Sequence, residues 1–177
     1  MVFPLSGKGI LRLYTQQIPE PAKNLWDVPN LLLQKFPSTE FTATTKVAFT
    51  PNDKLENEET GLIIMGQDYA NLSLKSKKDG IYLVHGVCEG AINGNSEIET
   101  VISKLTGNTV YLQVKVTAGA KYQFSYSLDG EMYTNAGDQY IAKEGKWIGA
   151  KVGLFSTRET SINDAGWGDY DWFRITK

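Results

Sequence analysis

The plainest order in this chain is a period of two. From Val110 to Val116, the residues Val110, Leu112, Val114 and Val116 alternate with Tyr111, Gln113 and Lys115, so an extended segment there has one apolar and one polar face. After a turn at Gly119 the alternation resumes with Tyr122, Phe124, Tyr126 and Leu128 against Gln123, Ser125 and Ser127, and Asp129-Gly130 supplies the positive-φ turn that closes a further hairpin. The same reading predicts strands at 11–14, 41–50, 61–65, 71–75, 81–88, 96–104, 151–156 and 170–176, each bounded by Gly, Pro, Asn or Asp. Helical periodicity is nearly absent. So many strands tend to split or curl a single twisted sheet, which makes an all-β, two-sheet antiparallel β-sandwich the expected fold. Residues 1–177 are read as one sandwich domain, with 1–40 as an irregular amino-terminal segment that Trp26 pins onto it. The polar run 51–59 reads as a solvated loop.

Composition narrows the function classes. A chain of 177 residues with 41% hydrophobic and 21% charged residues suits one globular domain. Eighteen basic against twenty acidic side chains are too balanced for the field that nucleic-acid binding needs. No apolar run approaches the ~20 residues that span a bilayer, so neither nucleic acid nor membrane is an expected partner. The opening Met1-Val2-Phe3-Pro4 lacks the basic and apolar parts of a signal peptide. Localisation is left open, with a secreted or periplasmic site expected if the parent protein carries such a signal. The single cysteine, Cys88, excludes an internal disulfide and a multi-cysteine zinc site. It stands three residues from the single histidine, His85, on a predicted strand, so the two face opposite ways and form no local dyad. Cys88 is expected to fill the core, and His85 to be a satisfied core or interface histidine.

Carboxylates and aromatics are the remaining candidates. Asp169 and Asp171, two apart on a strand, share a face, but no Glu-x-Asp-x-Glu run accompanies them, and no catalytic residue is assigned. Sugar sites join aromatic platforms to polar groups, because sugars present flat C–H faces ringed by hydroxyls. Four Trp and nine Tyr are generous for this length, and Trp147, Trp167, Tyr170 and Trp172 crowd the end of the chain. Trp167 lies between two glycines and Trp147 follows Gly145-Lys146, positions where an indole stays accessible, whereas Trp172 is expected to be buried. The candidate carbohydrate-binding residues are therefore Trp147, Trp167, Tyr69, Asp68 and Tyr170.

Six segments carry a resemblance: NLWDVPNLLLQKFP from Asn24, FTATTKVAF from Phe41, GLIIMGQDYANLSL from Gly61, FSYSLDG from Phe124, KWIGAKVGLFSTR from Lys146 and DYDWFRI from Asp169. In collinear order over nearly the whole chain they resemble the carboxy-terminal β-sandwich of glycoside hydrolase family 43 β-xylosidases and arabinofuranosidases, also classed as carbohydrate-binding module family 91. The resemblance implies a concanavalin A-like jelly roll appended to a five-bladed catalytic propeller, and hence a non-catalytic accessory domain. Its implied partners are xylan or xylo-oligosaccharides and that propeller, whose parent would be a β-xylosidase or an α-L-arabinofuranosidase. In such enzymes an aromatic residue of the sandwich closes the substrate pocket, and Trp147, just before Ile148 to Gly153, matches its position. The chain departs from the pattern in carrying Trp in place of Phe and Lys151 where a second Phe occurs. Asp171 loosely matches a last-strand aspartate that helps hold a structural calcium ion; no cofactor is required. The leading expectation is a xylan-binding module. Its alternative is a docking domain that completes the propeller's active site and binds no sugar alone, and an independent glycosidase using Asp169 or Asp171 ranks third.

Overall fold

A computed structural model describes residues 2–5, 9–161 and 164–177. Its fourteen strands are β1 (Val2–Leu5), β2 (Ile10–Tyr14), β3 (Gln16–Gln17), β4 (Leu32–Lys35), β5 (Phe41–Thr50), β6 (Glu59–Met65), β7 (Tyr69–Lys77), β8 (Gly80–Cys88), β9 (Ile98–Lys104), β10 (Thr109–Thr117), β11 (Lys121–Ser127), β12 (Thr134–Ile141), β13 (Lys151–Arg158) and β14 (Trp167–Thr176). One sheet runs β1-β2-β14-β5-β10-β11-β12. The other runs β3-β13-β6-β7-β8-β9, with β4 also beside β13. Every pairing is antiparallel except the short β3–β13 contact. The expected two-sheet, concanavalin A-like sandwich is thus the fold.

The period-two pattern builds the core. On β5, Phe41, Ala43, Val47 and Phe49 point inward, as do Val110, Leu112, Val114 and Val116 on β10. They meet Leu62 and Ile64 of β6 and Ala70, Leu72 and Leu74 of β7. Strand β6 is buried along its whole length, on both faces, because a second apolar layer covers the sheet from outside. There Ile63, Met65, Tyr69 and Phe155 pack against Leu25 and Val28 of the amino-terminal arm.

Three expectations need correction. The first forty residues are not one irregular segment, since they contribute β1 to β4; among the described residues the stretch between β3 and β4 wraps the sandwich without strand pairing. The polar run 51–59 is not wholly a solvated loop. Glu58 and Glu59 are buried, and Glu58 accepts hydrogen bonds from Thr15 Oγ1 (2.5 Å), Asn52 N (2.6 Å) and Gly166 N (2.7 Å), joining three distant segments. Trp172 is half-buried rather than buried, because a bulge between Tyr170 and Trp172 turns its ring to the outer face, where the Arg174 guanidinium covers it at 4.3 Å.

Candidate functional site

The β6–β7 turn is the hub of one end of the sandwich. Gly66 N–H donates to the Asp68 carbonyl (2.8 Å), and Gln67 N–H donates to the carbonyl of Glu144 (2.9 Å) in the β12–β13 loop. A Cβ on Gly66 would overlap the carbonyl of Lys143, so only glycine lets that loop approach so closely. Asp68 is used twice as a brace. Its Oδ1 accepts from Gly90 N (2.7 Å) and its Oδ2 pairs with Lys143 Nζ (2.5 Å). The loop held in this way carries Trp147, which is 86% exposed and is followed by the exposed Ile148.

Opposite this loop lies the arm. Asn24 caps the 3₁₀ turn Leu25–Asp27 through its own side chain, and its Nδ2 donates to the carbonyls of Ala91 (3.0 Å) and Asn95 (2.8 Å). That turn aims Trp26 at the hub, where the indole Nε1 donates to the Gly66 carbonyl (2.9 Å). Between the two indoles is a cleft of about 560 Å³, floored by Met65, Leu31 and Leu33. None of its lining residues is acidic, and its charges are Lys146 and Lys151. Lys146 Nζ lies 5.9 Å from the centre of the Trp147 ring. The cleft therefore offers aromatic and apolar surface with few neutral hydrogen-bonding side chains. On the other side of the same loop, Phe36, Pro37, Ala120, Ala142 and Ala150 line a second, largely apolar depression of about 660 Å³.

The structure scatters the other candidates. Trp167 pairs in register with Tyr14 and Thr50, at the opposite end of the sandwich from Trp147, and the Arg12 guanidinium stacks on it at 4.5 Å. Tyr170 cannot serve as a sugar platform: it is 1% exposed, with its hydroxyl 2.7 Å from Thr60 Oγ1. Tyr69 is likewise buried beneath the arm, its hydroxyl accepting from Leu25 N (3.3 Å). The aromatic crowd at the end of the sequence is not a cluster in space, because Tyr170 points into the core, the bulge after it turns Trp172 to the outer face, and Trp147 stands on a loop outside β14. Asp169 forms a bidentate pair with Arg12 (2.7 Å for both contacts), and Asp171 pairs with Lys46 (2.8 Å). Each carboxylate thus has its own cation, and among the described residues no group of three or more His, Cys, Asp or Glu side chains is placed to hold a metal ion. Cys88 and His85 are core residues, as expected, although among the described residues His85 Nε2 has no hydrogen-bond partner.

Sequence reasoning located Trp147 and missed Trp26 as its counterpart across the cleft. The two are far apart in the chain, and only the Gly66 hub joins them. A glycine immediately after an apolar strand was the available signal.

Comparison with known proteins agrees with this architecture. Residues 3–176 match the family model described as the β-xylosidase C-terminal concanavalin A-like domain. A Xylanibacter ruminicola protein assigned as a β-xylosidase is 30% identical over 137 residues, covering 77% of this chain and 23% of that protein. Among solved structures, a bifunctional GH43-CE protein of Bacteroides eggerthii superposes with a TM-score of 0.78 at 22% identity, over 99% of this chain and 23% of its own. The xylan β-1,4-xylosidase of Bacillus halodurans C-125 gives 0.75 at 19% identity, over 95% and 33%. The chain spans no more than a third of the length of each of these relatives. With the family model matched over residues 3–176, nearly the whole chain, the chain belongs to the carboxy-terminal concanavalin A-like domain family of glycoside hydrolase family 43 β-xylosidases.

Proposed function

We propose that this domain is the non-catalytic accessory sandwich of a hemicellulose-degrading family 43 enzyme. It docks on the catalytic propeller through the end that bears the β12–β13 loop, and there presents Trp147 to the xylo-oligosaccharide in the propeller's pocket. The observation that carries this reading is Trp147 itself: an indole 86% exposed on a braced loop, flanked by apolar depressions on both sides. Exposed apolar surface of that kind marks a surface meant to be covered. The other sequence candidates support the same choice, since Tyr69 and Tyr170 are buried, Asp68 is spent on bracing and Trp167 is stacked by Arg12.

A second reading, self-sufficient binding of xylan, is favoured by the open two-indole cleft between Trp26 and Trp147. Calorimetric titration with xylohexaose, with cellohexaose as control, separates the two. Heat from this chain alone supports the self-sufficient module, whereas silence from the chain together with sugar-dependent complex formation with the propeller supports docking.

A further inference from the structure

The arm covers part of the outer face of the second sheet, whereas along β5 and β10 of the first sheet every outward side chain keeps some exposure. The register aligns these side chains in rows across four strands, each row about 14 Å long at a strand spacing of ~4.8 Å. Trp172, Lys46, Tyr111 and Ser127 form one row, and Arg174, Thr44, Gln113 and Ser125 form the next. In the first, the Tyr111 and Trp172 rings are 6.2 Å apart, and the β11–β12 turn packs so closely on Tyr111 that a Cβ on Gly130 would overlap its ring. The second is a chain of polar groups. Ser125 Oγ donates to Gln113 Oε1 (3.3 Å) and Gln113 Nε2 donates to Thr44 Oγ1 (3.1 Å), so the Thr44 hydroxyl hydrogen and the second N–H of Gln113 are left as donors.

Charge sets this face apart from the rest of the molecule. The outward positions of β2, β14, β5, β10 and β11 carry five cations, Arg12, Lys46, Lys115, Lys121 and Arg174, against two carboxylates, Asp169 and Asp171, in a chain with 18 basic and 20 acidic residues. Both carboxylates are already paired, Asp169 with Arg12 and Asp171 with Lys46. Among the described residues Arg174, Lys115 and Lys121 pair with no carboxylate, and all three are exposed. Like charges gathered in this way repel one another, and an anion laid over them removes that cost. Arg174 is held ready for one: its guanidinium lies 4.3 Å from the centre of the Trp172 ring, a stacking that fixes its plane while the N–H fork stays available to a carboxylate.

An acidic protein surface fits this face poorly. Protein interfaces are centred on apolar patches, and none of the exposed large aliphatic side chains stands on β14, β5, β10 or β11. A ribbon of acidic sugar rings fits it well, with hydroxyls on the spare donors of Thr44 and Gln113, a C–H face on Tyr111 and carboxylates on the unpaired cations. Those cations stand on three different strands, which matches carboxylates repeated along a chain and not a single acidic branch. We infer that the outer face of the first sheet binds a polyuronate, a polysaccharide whose backbone rings each carry a carboxylate. This goes beyond the docking of Trp147, whose cleft lies on the side of the second sheet, and does not depend on it.

The test is native affinity electrophoresis of the whole chain at low ionic strength, in gels holding polygalacturonate, glucuronoxylan, neutral arabinoxylan or polyglutamate. Polygalacturonate should retard the chain most, and added salt should abolish the effect, as screening of exposed charges requires. Arg174→Gln, at an exposed position that leaves the fold intact, should weaken that retardation at least about threefold, the loss of one charge-assisted pair at a surface. Lys54→Gln removes an equally exposed charge from the 51–59 run, beyond the far end of β5, and should leave the retardation unchanged. No retardation by polygalacturonate overturns the inference. So does equal retardation by polyglutamate, which would assign the face to an acidic protein, or stronger retardation by either xylan. An equal loss in Arg174→Gln and Lys54→Gln also overturns it, because net charge alone would then account for binding.

Discussion

Trp26 Nε1 donates to the carbonyl of Gly66 at 2.9 Å, and through that one bond the amino-terminal arm and the loop bearing Trp147 share an anchor. Gly66 belongs to the turn whose next residue, Gln67, holds Glu144, so the two walls of the cleft are fixed to three consecutive residues, 66–68. Trp26→Phe keeps most of the ring and removes the donor. It should cost about 1 kcal/mol of stability, the net worth of one hydrogen bond, and increase amide exchange in residues 18–31 ahead of the rest of the molecule. Uniform protection across arm and core in that variant would show that the bond does not hold the arm.

Gly66→Ala tests the close approach of the loop. The added methyl would overlap the Lys143 carbonyl, which is backbone and yields only by displacing the loop. A loss of roughly 1–3 kcal/mol in denaturant unfolding is expected, the usual cost of overpacking, together with altered fluorescence of the exposed Trp147. A variant as stable as the parent would mean that close approach of the loop to Gly66 does not hold it in place.

Two buried groups give the stability pH dependences of opposite sign. Glu59, facing Ser73, Lys75, Glu97 and Glu99, is raised to about 8 by burial and by the Glu97 charge. The folded chain therefore holds a proton that the unfolded chain releases near 4.5, and stability falls as pH rises through the interval from there to about 8. His85, packed on Phe124 and Tyr140 with Asp138 nearby, is lowered by burial. Here the unfolded chain takes up the proton first, so its contribution is complete above 6.5 and is lost as pH falls below that value. Thermal melts over about pH 4 to 9 should show Glu59→Gln removing a loss of stability with rising pH between 4.5 and about 8, and His85→Phe removing a loss with falling pH below 6.5. A change of stability between pH 4.5 and about 8 that is the same in Glu59→Gln as in the parent chain would rule out the assignment to Glu59.

The period-two pattern made β5, β10 and β11 legible, because an inward apolar face and an outward polar face repeat at the strand spacing. Strand β12 was not legible: its sequence Thr134 to Ile141 lies at a sheet edge with only Ala136 buried, so nothing forces alternation on it. Glu58 was read as solvated because the partners that justify its burial, Thr15 and Gly166, lie 43 and 108 residues away. In the candidate site, the resemblance placed Trp147 on its loop. Burial of Tyr69 beneath Leu25 and the pairing of Trp26 with Gly66 depend on the path of the arm, which no local pattern encodes.

Trp147 is predicted to matter for recognition and not for folding. An indole 86% exposed contributes little to packing, so Trp147→Ala should leave unfolding within about 0.5 kcal/mol of the parent chain. The most direct test of the account is to mix this chain, as the parent form and as Trp147→Ala, with the separately produced propeller of its enzyme and measure hydrolysis of xylobiose. Docking with Trp147 in the pocket predicts that the parent chain raises activity and that the variant loses roughly 1–3 kcal/mol of that gain, the cost of removing one aromatic anchor, while still binding the propeller. Equal activity with both forms, or no effect of either, would contradict it.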